Sequence, residues 1–319
     1  MTSVSVIIPA YNAEKFIVET IQSLQRQTFS DFEIIVVDDG STDQTESLVM
    51  QIDEPKLRLL SVEHQGVSAT RNRGVAASQG KFIAFLDADD LWTPNTLQLY
   101  VEALTLNSAA DLSYGWTYFW NYDLNNSSDV TKLISPSATG ATAYLAMLER
   151  NIVGNGSNIF VRRSAFDAVG GFDQTLTHGE EWEFCFRVAL QGEVALVPQP
   201  LVYYRQHSTS NCSDFEPAKT SSFKALDKIY HLAPPEYKTL KVKVQASMYI
   251  YIANLYLTRT NTKAGIQSAR KNWIDGISKW PSNIFEKQAV SVGLKLFFFP
   301  TLPVKLSKML LQILGNKPS

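Results

Sequence analysis

The first ninety residues repeat one pattern. A short, almost uninterrupted apolar run rich in β-branched residues is closed by polar residues and followed by a stretch of helical periodicity. The runs are Val4 to Ile8, Glu33 to Val37, Leu57 to Val62 and Lys81 to Leu86. A strand wetted on one face alternates apolar and polar residues, whereas a strand apolar throughout is covered on both faces. Strands of this second kind, separated by helices, predict a mainly parallel sheet flanked by helices. Phe16, Ile17, Thr20, Ile21 and Leu24 repeat at helical spacing after the first run, with Asn12 as the expected cap and Glu14 in the first turn. Thr42 to Met50, with Ser41 or Thr42 as cap, and Ser68 to Ala77 supply the next two helices. Ligands of such sheets bind beyond the carboxyl ends of the strands. Three of these ends carry suitable polar groups: Tyr11 and Asn12, Asp38 and Asp39, and Asp87 to Asp90.

The remainder is less regular. A helix is expected from Thr93-Pro94 through Leu104, and a strand over Leu112 to Trp120. A Gly154-Asn155-Gly156 turn leads into Ile159 to Val161, a helix spans Gly179 to Leu190, and Leu201 to Tyr204 forms a short strand. Beyond about residue 217 the pattern is helical, with a hairpin over Tyr237 to Leu257 and Ala264 to Ile277, split near Asn261, that is similar to one tetratricopeptide unit. Charge divides the 319 residues in the same place. Residues 1–216 hold 13 Lys and Arg against 27 Asp and Glu, while residues 217–319 hold 16 against 4. We therefore expect a catalytic domain over 1–216 and a helical, basic region over 217–319.

Composition excludes several classes. Apolar residues are 45% and charged residues 19%, which is globular rather than disordered or collagen-like. A net charge of −2 gives no general attraction to nucleic acid. The two cysteines, Cys185 and Cys212, lack metal-site or disulfide-framework spacing, so a reducing, cytoplasmic location is expected. The N-terminus lacks the basic n-region of a signal peptide, and no run of 18 apolar residues predicts a membrane span. The sequons at Asn125, Asn126, Asn155 and Asn211 accordingly carry little weight.

Chemistry concentrates in a few places. The carboxylates of Asp87-Ala88-Asp89-Asp90 repel one another on a turn unless a cation joins them, and hard oxygen ligands suit Mg²⁺ or Mn²⁺. The same run could instead be a solvated acidic turn. Asp39 could accept hydrogen bonds from a base or ribose, or form an Asx turn with Gly40, and Arg71 could contact a phosphate. Glu180, Glu181 and Glu183 open a helix, where acids are favoured by the dipole alone. Adjacent residues diverge by about 100°, so Glu180 and Glu181 cannot face one cleft alike, and spacing does not choose between them. Taken singly, His207 reads as a hydrogen-bonded turn histidine.

Together the motifs are far more specific. Val-Ser-Val-Ile-Ile-Pro-Ala-Tyr-Asn-Ala, Glu-Ile-Ile-Val-Val-Asp-Asp-Gly-Ser-Thr-Asp, Arg-Asn-Arg-Gly and Phe-Leu-Asp-Ala-Asp-Asp closely resemble the family 2 glycosyltransferases over residues 3–95. The likeness continues through about residue 210 in Gly-Gly-Phe-Asp (170–173), Gly-Glu-Glu-Trp-Glu-Phe (179–184) and Tyr-Arg-Gln-His-Ser (204–208), and does not reach 217–319. The resemblance implies an α/β, Rossmann-like GT-A fold with a mixed, mainly parallel sheet, here followed by an α-helical C-terminal region. It implies inverting sugar transfer from a nucleotide-diphosphate sugar, UDP favoured, to a hydroxyl of a glycan or lipid-linked acceptor. By position it gives the donor site to Pro9, Ala10, Tyr11, Glu14, Asp39, Arg71, Asp87, Ala88 and Asp89. It gives the Mn²⁺ or Mg²⁺ to Asp89 with His207, and the acceptor side to Trp182. Asn155 is placed on that side by its position in the middle segment. Glu181 stands where the family usually has the aspartate that serves as catalytic base, with Glu180 as the other candidate.

Two other readings predict features that this sequence lacks. A nucleotidyltransferase would carry a glycine-rich phosphate loop after the first strand, where Pro9-Ala10-Tyr11 stands instead. A non-catalytic nucleotide-sugar-binding module would have lost metal or base positions, yet Asp87, Asp89 and an acid at 181 remain. In the tail, Val290 to Leu302 is densely apolar, and Lys305 and Lys308 interleave with Leu306, Met309, Leu310 and Leu314. That pattern predicts peripheral contact with an anionic membrane or a homodimer contact.

Overall fold

The four apolar runs become one half of a nine-stranded sheet, with the third run, half exposed, at its edge. In the computed structural model, which describes residues 2–123, 126–207, 215–260 and 262–298, β1 (Val4–Ala10) lies between β2 (Phe32–Asp38) and β4 (Phe82–Phe85), with β3 (Leu57–Ser61) outside β2. All of these pairs are parallel. Every residue of β1 is buried, as an apolar run between two helical layers requires. The crossovers are α1 (Ile17–Gln25), α2 (Thr45–Met50) and α3 (Val67–Ala76).

Two helix starts differ from expectation. Asn12 does not cap α1; its backbone takes φ 50°, and its Oδ1 accepts from Thr42 N at 2.8 Å. It thus joins the ends of β1 and β2. Helix α2 begins at Thr45 rather than Thr42, because Asp43 Oδ1 accepts from Thr45 N at 2.9 Å and holds the preceding residues in a turn.

Beyond β4 the sheet turns mixed. The two-residue β5 (Leu91–Trp92) precedes α4 (Thr96–Leu106), β6 (Ala110–Asp123), β7 (Asn126–Ile134), α5 (Ala143–Glu149), β8 (Ile159–Arg162), α6 (Arg163–Val169), α7 (Glu180–Ala189) and β9 (Glu193–Gln206). The order is β3-β2-β1-β4-β8-β6-β9-β5, with β7 on β6. β8 runs antiparallel to both β4 and β6, whereas β6 and β9 are parallel. The expected strand over Leu201 to Tyr204 is only the last part of β9. Pro198 and Pro200 hide the rest from a sequence reading, since proline removes ladder donors. The register shifts between Gly115 and Thr117 on β6 lie opposite these prolines. The core beneath this sheet gathers Ile8, Ile21, Val36, Phe82, Leu97, Tyr100 and Phe160.

The chain divides into two compact units, Met1–Ser213 and Asp214–Ser319. The second holds α8 (Phe215–Leu232), α9 (Leu240–Arg259), α10 (Lys263–Lys279) and α11 (Lys287–Phe298). The expected hairpin corresponds to α9 and α10. Its core is built from Phe215, Ile250, Ala253, Tyr256, Ala269, Val292 and Leu296. Cys185 is buried as a free thiol in α7. Asn125, Asn211, Cys212, Asn261 and the amphipathic tail from Leu302 to Leu314 lie outside the described residues.

Candidate active site

The ends of β1, β2 and β3 meet at one edge. Tyr11, half exposed, stacks on His64 with ring centroids 4.3 Å apart. His64 Nδ1 lies 2.9 Å from Asp39 Oδ2, and Asp39 also accepts from Gln65 N at 2.9 Å and Gly66 N at 2.8 Å. Asp39, expected to face a base directly, is thus buried and shapes the loop that presents His64. Glu14 is engaged likewise, its Oε2 accepting from Gln44 N at 3.0 Å. Pro9 and Ala10 are buried in β1, and Ala10 O accepts from Asp39 N at 2.8 Å. The exposed platform at this edge is therefore Tyr11 with His64, a residue the sequence reading passed over although it follows β3.

The turn after β4 is an organised set of carboxylates. Asp90 is fully buried and accepts from Arg205 N at 2.9 Å and from the Ser157 hydroxyl. Ser157 Oγ in turn accepts from Asp87 N at 2.9 Å. Burial, and then the charges of Asp89 and Asp87, push the Asp90 pKa well above the usual carboxylate range. Asp90 is thereby a tie between the turn, the 156–158 segment and β9. Ala88 is buried, and its carbonyl accepts from Thr20 Oγ1 at 2.9 Å. Asp89 remains partly exposed and meets His207, whose Nε2 lies 2.9 Å from Asp89 Oδ2. Phe16 packs on the His207 ring at 4.4 Å and beneath the Arg205 guanidinium at 4.8 Å, with Trp120 on Arg205 at the same distance. Arg205 Nη1 also reaches Glu19 at 2.8 Å. Strand β9 thus delivers His207 to Asp89 through a wedged arginine.

Arg71 connects this turn to α7. It is buried on α3, with Nη2 donating to Asp87 Oδ1 at 2.7 Å and Nη1 to Glu180 Oε1 at 2.8 Å. Burial opposes its charge, but Asp87 and then Glu180 hold its pKa above the ordinary value. Burial also raises Asp87, which Arg71 partly offsets. Gly156 is glycine because a Cβ there would stand 2.1 Å from Arg71 Nη2 and 2.9 Å from Asp87 Oδ2. Asn72, next to Arg71, grips the Gly-Gly-Phe-Asp segment from both sides: Nδ2 donates to Phe172 O at 2.8 Å, and Oδ1 accepts from Phe172 N at 2.9 Å. That grip fixes the approach to α7.

The two glutamates that spacing left equivalent differ in their partners. Glu180 is taken by Arg71. Glu181 has no ion pair among the described residues and accepts from Asn151 Nδ2 at 3.2 Å. Burial, and then the neighbouring Glu180 charge, push the Glu181 pKa well above the carboxylate range. Trp182, expected on the acceptor side, is 6% exposed, and its indole N–H donates to Met147 O at 2.6 Å, which packs α7 on α5. Asn155 is buried, donates from Nδ2 to Thr117 Oγ1 at 3.2 Å, and leaves Oδ1 without a hydrogen-bond partner. Asn158, unread in the sequence, anchors the segment. Its Oδ1 accepts from Tyr100 OH at 2.6 Å and Gly115 N at 2.9 Å, and its Nδ2 donates to Gly115 O and Val153 O.

The family model for glycosyl transferase family 2 matches residues 5–170, a span that takes in the Tyr11 edge, Arg71, the aspartate turn and Asn155. The chain belongs to glycosyltransferase family 2. Among curated relatives, the Escherichia coli UDP-Glc:alpha-D-GlcNAc-diphosphoundecaprenol beta-1,3-glucosyltransferase WfgD is 37% identical over 135 residues, 42% of this chain. The chain spans 51% of that relative's length, and 66% and 48% of two others. Among solved structures, S. aureus TarS 1-349 in complex with UDP-GlcNAc aligns over 93% of this chain and 86% of its own, with TM-score 0.62 and 19% identity. The Pyrobaculum calidifontis mannosyltransferase PcManGT, in complex with GDP-Man and Mn²⁺, aligns over 98% and 88% with TM-score 0.61 and 15% identity. The fold is thus GT-A, with helices following it.

Asp89 and His207 set a carboxylate oxygen, the ligand type that suits Mn²⁺ or Mg²⁺, 2.9 Å from an imidazole nitrogen, a softer ligand more usual for Zn²⁺ or Fe²⁺. Among the described residues no group of three or more His, Cys, Asp and Glu is arranged to hold a metal ion. Of the pair, the carboxylate is the oxygen ligand that Mn²⁺ or Mg²⁺ takes, and a cation there would draw most of its ligands from elsewhere.

Proposed function

We propose that this chain is an inverting glycosyltransferase that moves a sugar from a nucleotide-diphosphate sugar, a UDP-sugar in preference, to a hydroxyl of a glycan or lipid-linked acceptor. The observation that carries the reading is the unequal treatment of two adjacent glutamates. Arg71 forms its ion pair with Glu180, while Glu181 has a raised pKa and no ion pair among the described residues, only the Asn151 amide and the Glu180 carboxyl beside it. A carboxylate tuned upward by burial is the form a general base takes when it must accept a hydroxyl proton near neutral pH. Glu181 takes the acceptor's proton as that oxygen bonds to the anomeric carbon. The bond from that carbon to the diphosphate oxygen breaks with its electron pair on the diphosphate, and attack from the opposite face inverts the centre.

The other residues position the reactants. Tyr11 and His64 offer ring faces to a base. The unpaired Asn155 Oδ1 suits a sugar hydroxyl, since a buried acceptor left without a donor is costly. Asp89 and His207 would hold Mn²⁺ or Mg²⁺, which supplies positive charge to a leaving diphosphate. The UDP-GlcNAc named with TarS and the diphosphoundecaprenol named in the E. coli relative support this donor and acceptor class.

The test is nucleotide release from a panel of UDP-, GDP- and dTDP-sugars, with Mn²⁺, Mg²⁺ or chelator, alongside donor binding. Metal-dependent release from one donor, lost in Asp89→Ala, is expected. Binding without turnover in the presence of glycan and polyprenyl-diphosphate acceptors would favour a non-catalytic module.

A further inference from the structure

Helix α11 is apolar on both faces and buries a lysine, an unusual pattern for a helix in water. Ala289, Val292, Lys295 and Leu296 are buried, and Lys295 is only 7% exposed, its Nζ donating to Asn254 Oδ1 at 3.1 Å. The opposite face exposes Val290 at 43%, Leu294 at 48% and Phe297 at 74%. These positions, four and three residues apart, form one stripe. Phe285, 86% exposed, and Ile284, 42% exposed, extend the apolar surface just before the helix. Trp280, at the end of α10, is 38% exposed. The orientation is fixed from within. Trp273 donates to Ala289 O at 2.9 Å and sits over Gly293, where a Cβ would lie 3.2 Å from its ring. A helix free to turn would exchange its lysine for its leucine, because a buried ammonium with one neutral partner is costly. Burial alone lowers the Lys295 pKa.

We propose that the stripe of Val290, Leu294 and Phe297, with Phe285, docks on an anionic lipid surface. The charge of the region chooses the occupant. Residues 217–319 hold 16 Lys and Arg against 4 Asp and Glu. A second copy would set two such regions against each other, whereas an anionic leaflet attracts both the charge and the apolar face. The sequence directly beyond α11 continues in the same composition, with Lys305 and Lys308 among Leu302, Leu306, Met309, Leu310 and Leu314. No helix among the described residues is long and apolar enough to cross a membrane. This inference goes beyond glycosyl transfer and does not depend on it.

The test is co-flotation of the full chain with vesicles of phosphatidylcholine alone or mixed with phosphatidylglycerol. Binding to the anionic vesicles should exceed binding to the neutral ones by about tenfold or more and weaken in high salt. Leu294→Glu should reduce it roughly tenfold with far-UV circular dichroism and nucleotide-sugar turnover unchanged. In the unsubstituted chain, hydrogen exchange should slow across residues 284–298 on the vesicles, a readout that needs no variant. The proposal is overturned if the full chain stays unbound, if Leu294→Glu floats like its parent, or if exchange across α11 is unaltered in the bound state. It is equally overturned if light scattering gives a dimer that Leu294→Glu dissolves, which would make the face a contact between copies.

Discussion

The two units treat buried charge in opposite ways. In the first, buried ions have counter-ions: Arg71 sits between Asp87 and Glu180, Glu183 forms two 2.7 Å contacts with Arg187, and Arg205 meets Glu19. In the second, Lys295 is buried against an amide, while apolar side chains stand outside. The first arrangement keeps charges fixed near strand ends, where a ligand's charges can be matched without reorganisation. The second sets a large net charge beside an apolar face, which favours a broad surface over a compact ligand. Two carboxylates of the first unit, Asp90 and Glu181, are raised in pKa with no ion pair among the described residues, and Glu181 is the informative exception because it is also partly exposed.

The largest expected effect breaks that exception. Glu181→Gln should reduce turnover by about 10²–10⁴ with donor binding retained. Because Glu181 is raised above the ordinary carboxylate value, the parent enzyme should lose activity as pH falls through that elevated pKa. Linkage gives the accompanying sign. A carboxyl raised in the folded state costs stability wherever it ionises, so the penalty is absent in acid and grows as pH rises above the ordinary carboxylate value. Glu181→Gln should therefore melt higher than its parent at neutral pH and equally in acid. A variant that kept full turnover would return the base role to Glu180.

Arg71→Met comes next. Removing the cation leaves Glu180 buried, and Asp87 partly buried, without their counter-ion, a change that costs up to about 3–5 kcal/mol of stability. Adding Glu180→Gln should recover part of that loss, and chemical denaturation of the four members of the cycle measures the coupling. Additive losses would mean that the pair contributes no coupling.

Much of this was legible beforehand, and the gaps have physical causes. Strands β1, β2 and β4 were readable because strands buried on both faces leave continuous apolar runs, and β3, the half-exposed edge strand, because its run of leucines sits between loops. Asp87 and Asp89 were readable because they follow a strand end and Glu180 and Glu181 because they open a helix, whereas Arg71, in the middle of α3, stands out chiefly through the family resemblance. Strand β9 was hidden by its prolines, and α11 by reading Val290 to Leu302 as one apolar patch, since a periodicity that puts lysine inside violates the pattern used to find helices. His64, Ser157 and Asn158 were missed because their roles are contacts across 25, 67 and 43 residues of sequence. Asp39 shows the converse: its position was plain, but saturation of its oxygens by backbone donors appears only once the 64–66 loop is folded.

Gly156→Ala tests the spacing of the first unit's network with a single methyl. Its Cβ would collide with the Arg71 guanidinium and Asp87, so one of them must shift, at about 1–3 kcal/mol. Loss of donor binding with little change in unfolding free energy would mean that the arginine moved rather than the fold.

The smallest effect tests the second unit. Lys295→Met keeps the length of the side chain and removes the buried ammonium, so it should be neutral or stabilise by about 1 kcal/mol. The pH dependence separates charge from packing. Burial lowers the Lys295 pKa below the ordinary lysine value of 10.5, so the charged form is disfavoured by folding. That cost is fully present below the folded pKa and fades as pH climbs from there towards 10.5. Parent and variant should thus differ most at neutral pH and converge in alkali. A difference independent of pH would assign the gain to packing, and a loss at every pH would mean that the bond to Asn254 outweighs desolvation of the ammonium.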